Sequence, residues 1–137
     1  MLTVLGHDAV NKKVIPGVTL KAGQIAQLTT INNEVMFTLS DGTCPYGIVL
    51  KFLGGRPPGD KSSVNKEFPY SALVQHNRGR YTTDTFDTTV SYPVNANLYV
   101  SATGLLTIVR AQSTYPAIGM VEVPPTTTDA TLTFLWF

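Results

Sequence analysis

Cysteine, histidine and charge are scarce in this sequence, and each scarcity excludes something. The only cysteine, Cys44, rules out a disulfide within the chain and a zinc cluster built on cysteine. Beside Pro45 it reads as a small buried hydrophobe. The two histidines, His7 and His76, lie far apart and have no clustered carboxylates around them, which makes a poor metal site. Charged residues make up 14% of the chain and sum to +1, so electrostatics gives no reason to expect nucleic acid or an acidic membrane as a partner. No run approaches the roughly 18 apolar residues that a membrane helix needs. The start, Met1-Leu2-Thr3-Val4-Leu5-Gly6-His7, lacks the basic residues and long apolar core of a secretion signal, so the chain is expected to act where it is made or to be packaged from there.

What is present is β structure. Hydrophobic residues make up 43% of the 137 residues, enough for one domain or two small lobes with a shared core. Apolar residues recur at every second position, and Gly or Pro breaks most windows before two helical turns could form. Residues 1–13 read as an arm or edge strand, and 14–137 as a single domain. Short strands are expected at Val18–Leu20, Gln24–Leu28, Val35–Leu39, Tyr46–Leu50, Ser71–Gln75, Gly79–Thr83, Asn97–Ser101 and Leu105–Val109, with two more before the end. Ile31-Asn32-Asn33-Glu34 reads as a hairpin turn, because Asn tolerates left-handed backbone. Asp41-Gly42 gives a second hairpin signal. Two prolines, three glycines and three charges exclude regular structure at Gly54–Ser63, so an exposed loop is expected to about Glu67.

The chain also echoes itself. Ala22-Gly23-Gln24-Ile25-Ala26-Gln27-Leu28 leads to Pro45-Tyr46-Gly47-Ile48-Val49. Asn95-Ala96-Asn97-Leu98-Tyr99-Val100-Ser101 leads, at similar distance, to Pro116-Ala117-Ile118-Gly119-Met120-Val121. Each unit runs from a strand through a hairpin to Pro, a Gly-centred bend and a second strand. The expected fold is all-β, a small sandwich or barrel-like domain made of two similar units, with an N-terminal arm and a long exposed loop. In the closing run, Leu132, Phe134 and Trp136 alternate onto one face and should enter the core, while Leu135 and Phe137 point the other way.

Chemistry finds little purchase. Gly54 and Gly59 have phosphate-loop spacing, but Asp60 precedes Lys61-Ser62, Pro57 and Pro58 remove amide donors, and no helix follows. Cys44 with His7 or His76 lacks any nucleophile turn that would lower the thiol pKa. Asp84, Asp87 and Asp129 lack the pattern of a calcium loop. The expectation is that the chain is no enzyme and uses no metal or cofactor. Arg78-Gly79-Arg80-Tyr81 could touch nucleic acid, but without basic excess elsewhere it reads better as a turn, or as ion-pairing groups at a subunit contact.

Leu20-Lys21-Ala22-Gly23-Gln24 followed by Pro45–Val49 resembles the framework of tailed-phage head decoration, or capsid cement, proteins. The resemblance extends through Arg80–Asp87, Leu98–Thr107, Pro116–Val121 and the ending Leu132–Phe137. It covers roughly residues 14 to 137, on short β-turn signatures that carry no chemistry, and leaves out the loop at 54–67. It implies binding to the outer surface of an expanded capsid, on the major capsid protein, often as trimers at threefold positions. It implies a place on the virion head surface, after synthesis in the host cytoplasm, with no nucleic acid and no membrane as partner. Contacts with capsid or neighbouring subunits are expected from Arg56, Arg78, Arg80, Tyr81, Leu135 and Phe137. The alternatives are another virion β module, such as a head fibre base or tail adaptor, or a carbohydrate-binding β domain using Tyr46, Tyr70, Tyr81, Tyr99 and Trp136.

Overall fold

The computed structural model describes residues 9–53, 70–76 and 78–137. The described residues contain no helix; they form β1 (Ala9–Lys13), β2 (Ile25–Ile31), β3 (Glu34–Leu39), β4 (Gly47–Leu53) and β5 (Ser71–Gln75), then β6 (Gly79–Thr83), β7 (Asn97–Val100), β8 (Leu106–Thr107), β9 (Gly119–Val123) and β10 (Leu132–Trp136). Two five-stranded antiparallel sheets result, in the orders β1-β5-β4-β2-β3 and β6-β10-β9-β7-β8. The second repeats the first place for place: β6 stands for β1, β10 for β5, β9 for β4, β7 for β2 and β8 for β3.

Individual hydrogen bonds repeat as well. Tyr46 N donates to Ala26 O and Ile118 N to Leu98 O; Val49 N donates to Gln24 O and Val121 N to Ala96 O; Gly23 N donates to Val49 O and Asn95 N to Val121 O, all at 2.8–2.9 Å. Register slips at the same place in both sheets, where Leu50 of β4 and Glu122 of β9 are left out of the ladder as bulges. The open edges are drawn together in the same way. Ile15 N donates to Phe37 O beside a parallel Val14–Phe37 bridge, and Asp87 N donates to Leu106 O. Each sheet therefore curls towards a small barrel, and the echo in the sequence is a duplicated β unit.

Local sequence explains most of the elements. β2 and β3 are joined by Asn32-Asn33, both with positive φ (52° and 65°), the backbone of a tight hairpin whose twist matches its strands. Gly47 and Gly119 begin equivalent strands under one steric rule. A Cβ on Gly47 would lie 2.5 Å from Gln75 O, and one on Gly119 would run into Leu135 O. Neither strand could approach its neighbour closely enough for pairing with a side chain there.

The duplicated units pack two cores. One gathers Val14, Leu20, Ala26, Phe37, Val49, Ala72 and Val74; the other gathers Leu98, Val100, Leu106, Val121, Leu132, Phe134 and Trp136 with Tyr92. Ile25 and Ile48 belong to the first sheet by hydrogen bonding, yet they are buried in the second core. Leu132, Phe134 and Trp136 are buried as their alternation predicts, while Leu135 is half-buried and Phe137 exposed.

Five expectations need correction. Val18–Leu20 is not a strand, although Leu20 is buried. Ser101 closes a turn instead of extending β7, and only Leu106–Thr107 of the expected Leu105–Val109 strand pairs. Asp41-Gly42 joins no hairpin, because β2 lies between β3 and β4. Gly42 takes φ 96° where Val100 O and the Tyr115 ring of the second unit press against it. Cys44 is exposed, not buried, in this same connection. Residues 9–13, read as arm or edge strand, pair along their whole length with β5. The loop at 54–67, with Arg56 and the phosphate-loop spacing, lies outside the described residues, as does His7.

Gly119→Ala should cost about 3 kcal/mol, since the intruding methyl meets backbone that cannot give way. Gly79→Ala, where a Cβ meets only the Tyr81 ring at 3.9 Å, should change stability by less than about 0.5 kcal/mol. Urea denaturation of the two variants checks the contrast.

Candidate functional site

β6 and β10 run antiparallel, with Arg80 opposite Leu135 and Gly79 opposite Trp136. Alternation sends Arg80 and Leu135 to the outer face, and Phe137 follows Leu135 on that side. Gly79 contributes no side chain, so an open groove of about 490 Å³ forms between Arg78, Arg80, Leu135, Trp136 and Phe137. Phe137 is 53% exposed, while its amide is anchored by a bond to Ile118 O at 2.9 Å. The Arg80 guanidinium pairs through Nε with Glu122 Oε2, the side chain of the bulge residue on β9. That pair is solvent-exposed and stabilises the fold little. Arg78 has no charged partner among the described residues. The groove is thus an apolar trough with two cations at its rim, Arg80 paired with Glu122 and Arg78 without a charged partner among the described residues.

Four of the expected contact residues, Arg78, Arg80, Leu135 and Phe137, therefore meet in one place. Tyr81 does not join them. It points inward, stacking on Phe134 (ring centroids 5.6 Å apart) and meeting Trp136 edge-on, and burial raises its hydroxyl pKa. A second cleft, about 410 Å³, separates the units between Gly23, Val49 and Leu50 on one side and Tyr81, Thr83 and Asp84 on the other.

The remaining aromatics are occupied. Tyr46 packs between Phe37 and His76, Tyr70 stacks on Phe52, Arg110 lies over the Tyr99 ring, and Trp136 is 8% exposed. Among the described residues, no three His, Cys, Asp or Glu side chains gather to hold a metal ion. No described helix is long and apolar enough to cross a membrane.

Of the three aspartates weighed for calcium, Asp87 and Asp129 are employed in turns, as is Asp41, while Asp84 accepts a bond from the Thr85 hydroxyl. Asp41, Asp87 and Asp129 each accept both the amide and the hydroxyl of the Thr two residues on: Thr43, Thr89 and Thr131. The Asp-x-Thr spacing was a legible turn signal that the reading of the sequence passed over. Asp87 has the larger task, because its second oxygen accepts from Thr107 Oγ1 and its carbonyl accepts from the Tyr92 hydroxyl. That single hydroxyl proton is shared with Leu106 O, 3.1 Å away, and burial followed by the nearby Asp87 charge raises the Tyr92 pKa strongly. This cluster ties the end of β6 to β8.

No protein-family model matches the chain, and no curated protein matches it.

Hydrogen bonds from Thr43 hold the Asp41 carboxyl below its ordinary value of 3.8, and those from Thr89 do the same for Asp87. A carboxyl depressed by folding contributes stability that is present above its unfolded pKa and lost as pH falls through the folded one. Melting temperature should therefore hold above about pH 5 and decline below about pH 4. In Asp87→Asn the decline should be shallower, as thermal melts across that range would record; an unchanged slope would count against the Asp87 assignment.

Proposed function

We propose that this chain is a structural protein of a phage head, a decoration or cement protein that binds the outer capsid surface as a homo-oligomer and stabilises the expanded shell. The major capsid protein is the partner in this reading, and the site of action is the virion head surface after synthesis in the host cytoplasm. Two things support it. One is the resemblance carried by Leu20–Gln24, Pro45–Val49 and the closing strand. The other, and the observation that carries it, is the groove where Phe137 stands exposed beside Arg78.

An exposed aromatic next to Arg is the composition of an interface anchor. A cement protein needs a stiff, nearly neutral body with such anchors and needs no reactive centre. The duplicated β unit supplies the body, and the groove supplies an apolar seat with a charge to orient a carboxylate on the capsid. Each copy need contribute only modest binding, because many copies act on one shell.

The test is to mix purified protein with undecorated expanded heads of the cognate phage. Saturable binding and increased heat resistance of the heads are expected. Arg78→Glu and Phe137→Ser, both at exposed positions, should each weaken binding at least about tenfold while leaving the protein folded. No binding of the wild-type chain to its cognate capsid overturns the reading.

A further inference from the structure

The two units of the chain are joined head to tail, and the joint leaves one matching face open at each end. On the first unit the joint uses the start of β2 and β4. Ile25 is fully buried and its amide donates to Gly104 O at 2.8 Å; Gly23 has no room for a Cβ because the Thr85 side chain fills that place; and Ile48 enters the second core. On the second unit the joint uses the strands equivalent to the β2–β3 hairpin: Val100 is 1% exposed, and a Cβ on Gly104 would strike Leu39.

The duplication says where these two faces recur. The repeated ladder makes Asn97 and Met120 the counterparts of Ile25 and Ile48, with Val94 and Asn95 standing for Ala22 and Gly23. It makes Leu28 the counterpart of Val100 and Phe37 that of Leu106, so Val35, two residues before Phe37, stands where Gly104 precedes Leu106. A joint with twofold symmetry would bury both sets of counterparts against each other. Instead they are open: Leu28 is 40% exposed, Val35 45% and Val94 57%, Asn97 is exposed and Met120 half-buried. The joint is therefore heterologous. Exposed apolar side chains remain on the very faces that the other unit covers.

We propose that a second copy of this chain covers them, the Leu28–Val35 face of one copy seating on the Val94–Asn97–Met120 face of the next. A joint of this kind repeats from copy to copy and gives a closed ring or an open filament, according to whether its rotation closes. Three copies closing on themselves would place the β units around a ring of alternating first and second units. The joint between copies is not an atomic copy of the internal one. Asn95 brings a side chain where Gly23 has none, and Asn97 brings an amide where Ile25 is apolar, so the contact is more polar, as suits chains that are soluble before they associate. The Asn97 backbone amide, equivalent to the Ile25 amide that bonds Gly104 O, has no backbone acceptor outside its own sheet among the described residues.

The inference deepens the homo-oligomer part of the proposed function and makes no use of the capsid. It is tested on purified full-length chain alone, by light scattering coupled to gel filtration, so it can fail while capsid binding stands, and the reverse. Wild type is expected to run as a multimer. Leu28→Glu and Val94→Glu should each weaken association at least about tenfold, whereas Val109→Glu, exposed but on neither face, should leave it unchanged. Circular dichroism confirms that each variant is folded.

The decisive mixture is Leu28→Glu with Val94→Glu. Each variant keeps one sound face, so a head-to-tail joint forms between them and stops, giving a dimer and nothing larger. A monomeric wild type, a multimer untouched by Val94→Glu, or two variants that fail to form that dimer would overturn the proposal.

Discussion

Ile25 and Ile48 are bonded into one sheet and buried in the other core, and the rest of the structure depends on that transfer. A five-stranded unit of this size has little apolar surface to bury by itself. Lending two β-branched side chains across the joint gives the second core the mass it needs, and it seals the first unit's flank. The close packing that results sets the glycines around it. Gly23, Gly42 and Gly104 all adopt positive φ, and all sit where a side chain would strike the opposite unit. The positions most sensitive to substitution therefore lie along the joint as well as in the cores.

Duplication explains why the two halves share a skeleton without sharing a surface. The hydrogen bonds, the bulge and the closing bond between sheet edges repeat, because they are set by backbone geometry that many side chains satisfy. The side chains have diverged according to what each face meets. Gly23 is compressed against Thr85, while its counterpart Asn95 holds positive φ (68°) by Asn's own tolerance of the left-handed region. Leu50 and Glu122 occupy the same bulge. One is an exposed apolar residue at the cleft; the other holds Arg80 in an ion pair beside the groove. Function is read from these differences, since the shared skeleton is common to both units and assigns nothing to either.

Much of this was legible in the residues. Alternation placed Leu132, Phe134 and Trp136 inside and Phe137 outside, because a strand with one buried face allows no other register. Asn32-Asn33 declared its turn, and the echo of Ala22–Leu28 in Asn95–Ser101 declared the duplication. The misreadings share one cause. Asp41-Gly42 carries a hairpin signal, but whether the flanking strands pair is settled by β2, which comes earlier in the chain and inserts between them. Cys44 looked like a core residue by type and is exposed by place. Tyr81 sits in a run with Arg78 and Arg80 that suggests one contact surface, yet the pleat of β6 turns it onto Phe134.

By itself, then, the sequence determined the β class, the tight turn, the repeated unit and the inward face of the last strand. Those depend on short-range sterics and on a period of two residues. Only the tertiary structure decided that Arg78, Arg80, Leu135 and Phe137 share a groove, since their meeting requires the register between β6 and β10. Only the tertiary structure decided that the units join head to tail with Leu28 and Val94 left open. Two copies of one motif can pack face to face or in series, and the choice rests on which side chains fit against Gly23 and Gly104 across the joint, a contact between residues far apart in the chain.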